Sequence, residues 1–249
     1  ELTEARVTIQ ARDADLPVDK LFRVELTGNR LEVAEQSEHG SFLQSVLGGD
    51  LRGIGRDRRI EFDIVIELPA GSTVKVGVGS ADVSSTGRLG TTSVSSGSSK
   101  VALELVDGAL QLRGGSGHAE VHQVTGSCHV RGGSGLVRIG EVGGALSVAV
   151  GSGEVAIGVA HGSVRVRSGS GSTVIEAAEQ DVDVASSSGP VTIGLRPGQP
   201  ARLDVATGSG RLNTEMPVQD SAPVGEAITI RARTGSGDVT VRRAATVAG

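Results

Sequence analysis

One tripeptide returns at a fixed interval through most of the chain, and that interval limits what the chain can fold into. Aligning the third position of Gly-Ser-Gly and its close variants gives Ala81, Ser99, Gly117, Gly135, Gly153, Gly171 and Gly189, at a constant step of 18 residues. Two further occurrences, at Gly210 and Gly237, follow after steps of 21 and 27. Chance does not hold a step through so many intervals, so the chain is a repeat array.

Each unit also contains a half-period. Nine residues past the anchor lie Gly90, Gly108, Gly126, Gly144, Gly162 and Gly198, with Gln180 as the exception. Two alternating apolar positions follow the first glycine, as in Val137/Ile139 and Val155/Ile157. Two more follow the second, as in Leu146/Val148 and Val164/Val166. Alternation at period two, rich in Val and Ile, is strand chemistry, and no 3.6-residue pattern competes with it. Glycine between the strands allows sharp corners. A unit of two short strands cannot bury its apolar face alone, so neighbours must stack. The reading is all-β: a single-chain β-solenoid with coils of about 18 residues and two strands per coil. The nine-residue half-period favours a flat, two-sided coil over a three-sided one with six-residue rungs.

The middle tripeptide position is serine throughout, from Ser80 and Ser98 to Ser209 and Ser236. The expectation is a ladder of hydroxyls that hydrogen-bond from rung to rung at a crowded corner, sparing buried groups a cost of roughly 1–3 kcal/mol each.

The division expected is 1–78 as N-terminal strands and a β cap continuous with the solenoid, 79–243 as repeats, and 244–249 as a tail. Residues 1–78 carry all three aromatic residues, Phe22, Phe42 and Phe62. Strands are expected at Arg6–Gln10, Phe22–Leu26, Arg30–Ala34, Arg59–Leu68 and Thr73–Val78, with Thr27-Gly28-Asn29 as a hairpin turn. The stretch from Glu61 to Leu68 alternates charge with Phe, Ile and Leu, as a half-buried strand would. Ser41–Ile54 has apolar residues near helical spacing and reads as a cap or loop, with an amphipathic membrane element as the alternative. Asn213–Glu226, with Pro217, Pro223 and Gly225, reads as a loop.

Composition excludes several functions. The 249 residues contain 38 Gly, no Trp or Tyr, and 37% hydrophobic residues, too apolar for a disordered chain. No run approaches the ~18 apolar residues of a membrane-spanning helix. A formal charge of −5 argues against a nucleic-acid footprint, and the repeats lack the aromatic platforms that single strands stack on. One cysteine cannot make an internal disulfide or a Cys-rich zinc site, and Cys128 falls in an apolar column. His118, Glu120 and His122 share a strand face, but at ~3.3 Å per residue the two histidines stand about 13 Å apart, too far for one ion. Glu120 is expected to pair with Arg138 one coil on. A calcium ladder would need one aspartate column, and only Asp82 and Asp238 occupy the position after the anchor. Sugar-cleaving β-helices need clustered carboxylates or bases and normally aromatic surfaces for sugar rings, and the repeats contain no Phe, Tyr or Trp. No nucleophile elbow, phosphate loop or dinucleotide fingerprint occurs.

The expectation is therefore no catalytic residue, no metal and no cofactor. The surface feature singled out is an anion or partner patch of Arg113, Arg131, Arg165 and Arg167, because like charges one rung apart repel unless an anion or acid intervenes.

Gly-Ser-Ala-Asp-Val at 79–83, Gly-Ser-Gly-Glu-Val at 151–155 and Arg-Ala-Arg-Thr-Gly-Ser-Gly-Asp-Val-Thr-Val-Arg-Arg at 231–243 resemble the bacterial β-strand-repeat family called adhesins, of unknown function. Ile66-Glu67-Leu68-Pro69-Ala70-Gly71-Ser72 is similar to that family's lead-in segment. The resemblance covers nearly the whole chain. It implies a β-solenoid, in cytosolic and envelope-associated versions, without an established catalytic role, and it implies further strands before Glu1. A start at Glu1 rather than Met raises the same expectation of a removed leader. The adhesin label rests on fold analogy, a weak warrant for function.

The leading functional expectation is a non-enzymatic scaffold, adhesin-like or self-assembling, with the chain itself or another protein as partner and no nucleic acid. A regulatory module of envelope stress is the alternative, and a polysaccharide-active enzyme a distant third. Membrane contact is expected only through a removed leader or Ser41–Ile54. A cytoplasmic location is slightly favoured over an envelope-associated one.

Overall fold

The computed structural model describes residues 4–11, 21–28, 30–35, 61–215 and 227–244. Ser41–Ile54, Phe42, the tail after Ala244, and 216–226 of the expected loop lie outside the described residues. The chain divides into two compact units, Glu1–Pro69 and Ala70–Gly249.

The first unit holds two antiparallel ribbons. β1 (Arg6–Ala11) pairs with β4 (Phe62–Glu67), and β2 (Phe22–Thr27) pairs with β3 (Arg30–Glu35). These match the expected strands to within a residue or two, apart from Arg59 and Ile60, which lie outside the described residues. Gly28 takes φ +60° in the β2–β3 turn, the geometry the hairpin reading requires. Phe22 and Phe62 meet edge to face, ring centres 5.1 Å apart. The half-buried pattern expected over Glu61–Leu68 is not realised: Ile64 and Ile66 are 43% and 42% exposed. Alternation marks which side chains share a face, but burial needs a second layer on that face.

The second unit is the solenoid. β5 (Val74–Val78) and β6 (Val83–Leu89) form its first coil. β7 (Thr92–Val106), β8 (Leu110–Val124), β9 (Cys128–Val142) and β10 (Leu146–Ala160) are each one 15-residue strand bent at the Gly-Ser-Gly corner. β11 (Val164–Ser170) with β12 (Thr173–Ala178), and β13 (Val182–Ser188) with β14 (Val191–Leu195), continue the coils as separate halves. Through these coils the pairing is parallel with partners 18 residues apart, as in Val155↔Val137 and Leu146↔Val164, except where the register slips by one at Arg88↔Leu105 and Ala178↔Leu195. The predicted columns are the core: Val121, Ile139, Ile157, Ile175 and Ile193 are at most 1% exposed.

The last coils depart from the sequence order. β15 (Ala201–Thr207) and β16 (Leu212–Thr214) follow next in the chain, but they do not stack on β13 and β14. β17 (Ile228–Ser236) and β18 (Val239–Arg243) take that level, with Val182↔Ile230 and Val191↔Val239. β15 and β16 then stack beyond them, through Leu203↔Ile230 and Leu212↔Val239. The step of 21 therefore spans two levels, and the step of 27 returns to the level between them. Packing accounts for the arrangement: Ile230, Ala232, Val239 and Val241 are fully buried, whereas Leu203 and Val205 are half-buried and Leu212 is 53% exposed. The more apolar coil takes the level covered on both sides. β16 also occupies the start of the segment expected to be a loop from Asn213.

The serines do form one column, Ser98↔Ser116↔Ser134↔Ser152↔Ser170↔Ser188↔Ser236. They are exposed, however, and the hydrogen bond along this column runs from Ser236 to Ser188 at 3.3 Å. Pointing outward, the hydroxyls are open to solvent and need no ladder. The buried polar column is a different one, Ser168↔Ser186↔Thr234.

Candidate functional site

The outward positions of the first strand halves place the predicted arginines. Arg113 and Arg131 are direct rung neighbours. Their column continues through Ala149, Arg167, Ala185 and Arg233 to Ala206. The adjacent outward column runs His129, Ser147, Arg165, Asp183, Arg231 and Asp204. So the four predicted residues do lie on one face, and Arg231 and Arg233 extend it.

Their partners differ along the column. Arg167 grips Asp183 with two hydrogen bonds of 3.2 and 3.0 Å, and Arg165 Nε lies 3.5 Å from the same carboxylate. Asp204 takes the same position between Arg231, at 3.1 Å, and Arg233, at 3.5 Å. The Arg167 hydrogen bond and its charge hold the Asp183 carboxyl below its ordinary range, and Arg231 does the same for Asp204. Arg113 and Arg131 are exposed and close no ion pair among the described residues. Beside Arg131 and Arg167 the surface dips over Ala149 and Ala185.

A second cluster was not anticipated. It sits at the turn that closes each coil, where His161 and Glu179 follow Thr125 and Gly143 in the same 18-residue column. His161 Nε2 lies 2.9 Å from Glu141 Oε1, and its Nδ1 lies 2.6 Å from Glu179 Oε1. Arg196 approaches the same Glu179 oxygen at 2.7 Å, and Gln123 donates to Glu141 at 3.3 Å. Only a doubly protonated imidazole can offer a proton to both carboxylates. The hydrogen bond with Glu141 raises the His161 pKa; burial opposes the shift and the Glu179 charge adds to it. The spacing that could have revealed the pair is plain: Glu179 stands one coil beyond His161.

The other sequence candidates are now placed. His118 Nδ1 accepts from the Leu136 amide at 3.3 Å. Glu120 and Arg138 are rung neighbours as expected, but no ion pair closes between them among the described residues. Their side chains are both exposed, and water screening leaves little to gain from contact. Asp82 and Asp238 each accept a backbone amide, from Lys100 and Arg211, at 2.8 Å. They bridge strands at the corner. Cys128 is fully buried between Leu110 and Leu146, and desolvation pushes its thiol up to about 12. Among the described residues no group of three His, Cys, Asp or Glu is arranged to hold a metal, and no helix is long and apolar enough to cross a membrane.

A family model described as Toastrack DUF4097 matches residues 3–245. The chain belongs to that family. The expected likeness to a β-repeat family of unknown function thus holds, and the Toastrack fold is the β-solenoid described above. No curated protein and no solved structure matches. For this Toastrack domain, the functional reading rests on its own two clusters.

Proposed function

We propose that this Toastrack chain is a non-enzymatic scaffold that binds or assembles through its sheet surface. The observation that carries the reading is the outward face of the first strand halves, where functional groups repeat at rung spacing instead of converging on one point. Such a face suits a partner that is itself extended or repeated. Two reactive side chains are committed to structure. Both nitrogens of His161 engage carboxylates, and the Cys128 thiol is buried, so neither offers a free base or nucleophile.

The test combines sedimentation across a concentration series with a carbohydrate array. Concentration-dependent mass, or retention of one class of ligand, is the expected result. A strict monomer that retains nothing overturns the proposal.

A further inference from the structure

We propose that the arginine column on the first-half face binds a linear acidic polysaccharide carrying one carboxylate per disaccharide. The inference rests on the scaffold reading above and names the chemistry of the partner.

Charge is segregated between the two faces of this solenoid, although the chain as a whole is acidic. The first-half face presents Arg113, Arg131, Arg165, Arg167, Arg231 and Arg233. His129 and, at the far rung, Arg202 stand beside them. Its acids are Asp181, Asp183 and Asp204, and each is occupied: Asp181 accepts the Thr229 amide at 2.7 Å, and the other two are shared between arginine pairs. The second-half face carries Glu104, Glu120, Glu154 and Glu176 against Arg88, Lys100, Arg138 and Arg242, so its charges nearly cancel. A polyanion is thus drawn to the first-half face in preference to the second.

Pairing does not use up the first face. Arg165, Arg167, Arg231 and Arg233 keep 67%, 50%, 52% and 63% of their side chains exposed. Each pair of arginines shares one aspartate and so retains a net positive charge. Arg113 and Arg131, stacked one rung apart, have no acid at all among the described residues. Two arginines whose strands lie about 4.8 Å apart repel, and an incoming anion relieves that repulsion.

Spacing selects the polymer. From Arg131 onward, arginine and alanine alternate: Arg131, Ala149, Arg167, Ala185, Arg233. The cations therefore recur every second rung, about 9.6 Å apart along the stack. An extended acidic peptide repeats its same-side carboxylates at about 6.6 Å and falls out of step within two contacts. Two pyranose rings in an extended, equatorially linked chain are close to two rungs long, so one acid per disaccharide stays in step. The dip over Ala149 and Ala185 gives the intervening ring a small, flat floor. The face has no aromatic residue, so recognition is by charge, and uncharged glycans are left without a stacking surface.

Ionic strength is the first lever. Arg113 to Arg233 spans about five rungs, about 24 Å. At 0.01 M salt the screening length is about 30 Å and the column acts as one field; at 0.15 M it is about 8 Å, shorter than the arginine spacing.

The experiment is calorimetric or interferometric titration of the full chain with hyaluronan fragments at about 0.01 M salt. Poly-glutamate of matched charge and uncharged dextran are run beside it. Expected are hyaluronan binding that weakens about tenfold or more by 0.15 M salt, weaker poly-glutamate binding, and none to dextran. Arg131→Glu with Arg167→Glu abolishes binding, Arg138→Glu on the opposite face leaves it intact, and Asp183→Asn strengthens it. The double variant is checked by thermal melting, and Asp183→Asn keeps the test decisive should that variant fold poorly. No hyaluronan binding at low salt overturns the inference, as does equal loss in Arg138→Glu. Poly-glutamate binding at least as tight as hyaluronan also overturns it, in favour of an acidic polypeptide. If the Arg131/Arg167 variant still self-associates while wild type ignores hyaluronan, the scaffold reading stands and this inference alone fails.

Discussion

Gly153 lies one rung from Gly135 at the Gly-Ser-Gly corner, both with positive φ, 133° and 126°. A Cβ on Gly153 would overlap the Gly135 carbonyl oxygen. Two separate constraints thus exclude any other residue here: the left-handed backbone, and the backbone of the next coil where a side chain would begin. Gly153→Ala is expected to cost about 3 kcal/mol, read from urea unfolding.

Gly132 makes the opposite prediction. It faces inward in the column that holds Val150 and Ser168 on neighbouring coils, its φ is ordinary, and an added Cβ would meet the Val150 Cγ1 at 3.6 Å, in normal contact. Gly114 and Gly132 leave a cavity of about 40 Å³ beside it. Gly132→Ala should therefore gain about 0.5 kcal/mol, by filling space and restricting the unfolded chain. Equal losses at Gly132 and Gly153 in one unfolding series would refute the distinction.

Thr173 interrupts a valine column, in register between Val155 and Val191. It is fully buried, and its hydroxyl has no partner. Thr173→Val keeps the shape and removes a stranded polar group, for a gain of about 1 kcal/mol. Val155→Asp, which puts a charge into the same column, should prevent folding. Thermal melting of the two variants checks both directions.

His161 supplies a pH dependence. Its folded pKa is raised, chiefly through Glu141. The stability it contributes is present in full below the unfolded value of about 6.5 and is lost as pH rises through the higher folded value. Wild type should therefore exceed His161→Asn in melting temperature by more at pH 5.5 than at pH 9. A pH-independent difference would show that the imidazole packs without titrating in this range.

Much of this architecture can be read directly from the residues. Val137 and Ile139 recur 18 positions later as Val155 and Ile157, and a side-chain period of two leaves one way for both pairs to face a common core. The arginine face follows from the same arithmetic, since Arg113 and Arg131 also differ by one coil. His161 escaped because its partner Glu141 stands 20 residues back, in a neighbouring column, so the contact is diagonal between rungs. The burial of Ile64 and Ile66 was misjudged because alternation tells which residues share a side and nothing about what covers it. The order of the last coils was hidden for another reason: both Gly-Ser-Gly copies fit the corner equally well, and only the burial balance between Ile230 and Leu203 separates them.

That order can be tested by cross-linking. Ser188 and Ser236 are rung neighbours with hydroxyls 3.3 Å apart, whereas Ser209 is one level further on, with its amide bonded to Gly235. Adjacent rungs lie about 4.8 Å apart, within the Cα range of about 4.4–6.8 Å that a disulfide spans; two rungs do not. Ser188→Cys with Ser236→Cys should therefore oxidise to an intramolecular disulfide, and Ser188→Cys with Ser209→Cys should stay reduced. The native Cys128, buried with a raised thiol pKa, will not compete. A coil order that followed the chain would reverse the result, because β15 would then lie directly on β13. Mass spectrometry of the two oxidised variants decides between a C-terminal coil threaded between its predecessors and one laid at the end.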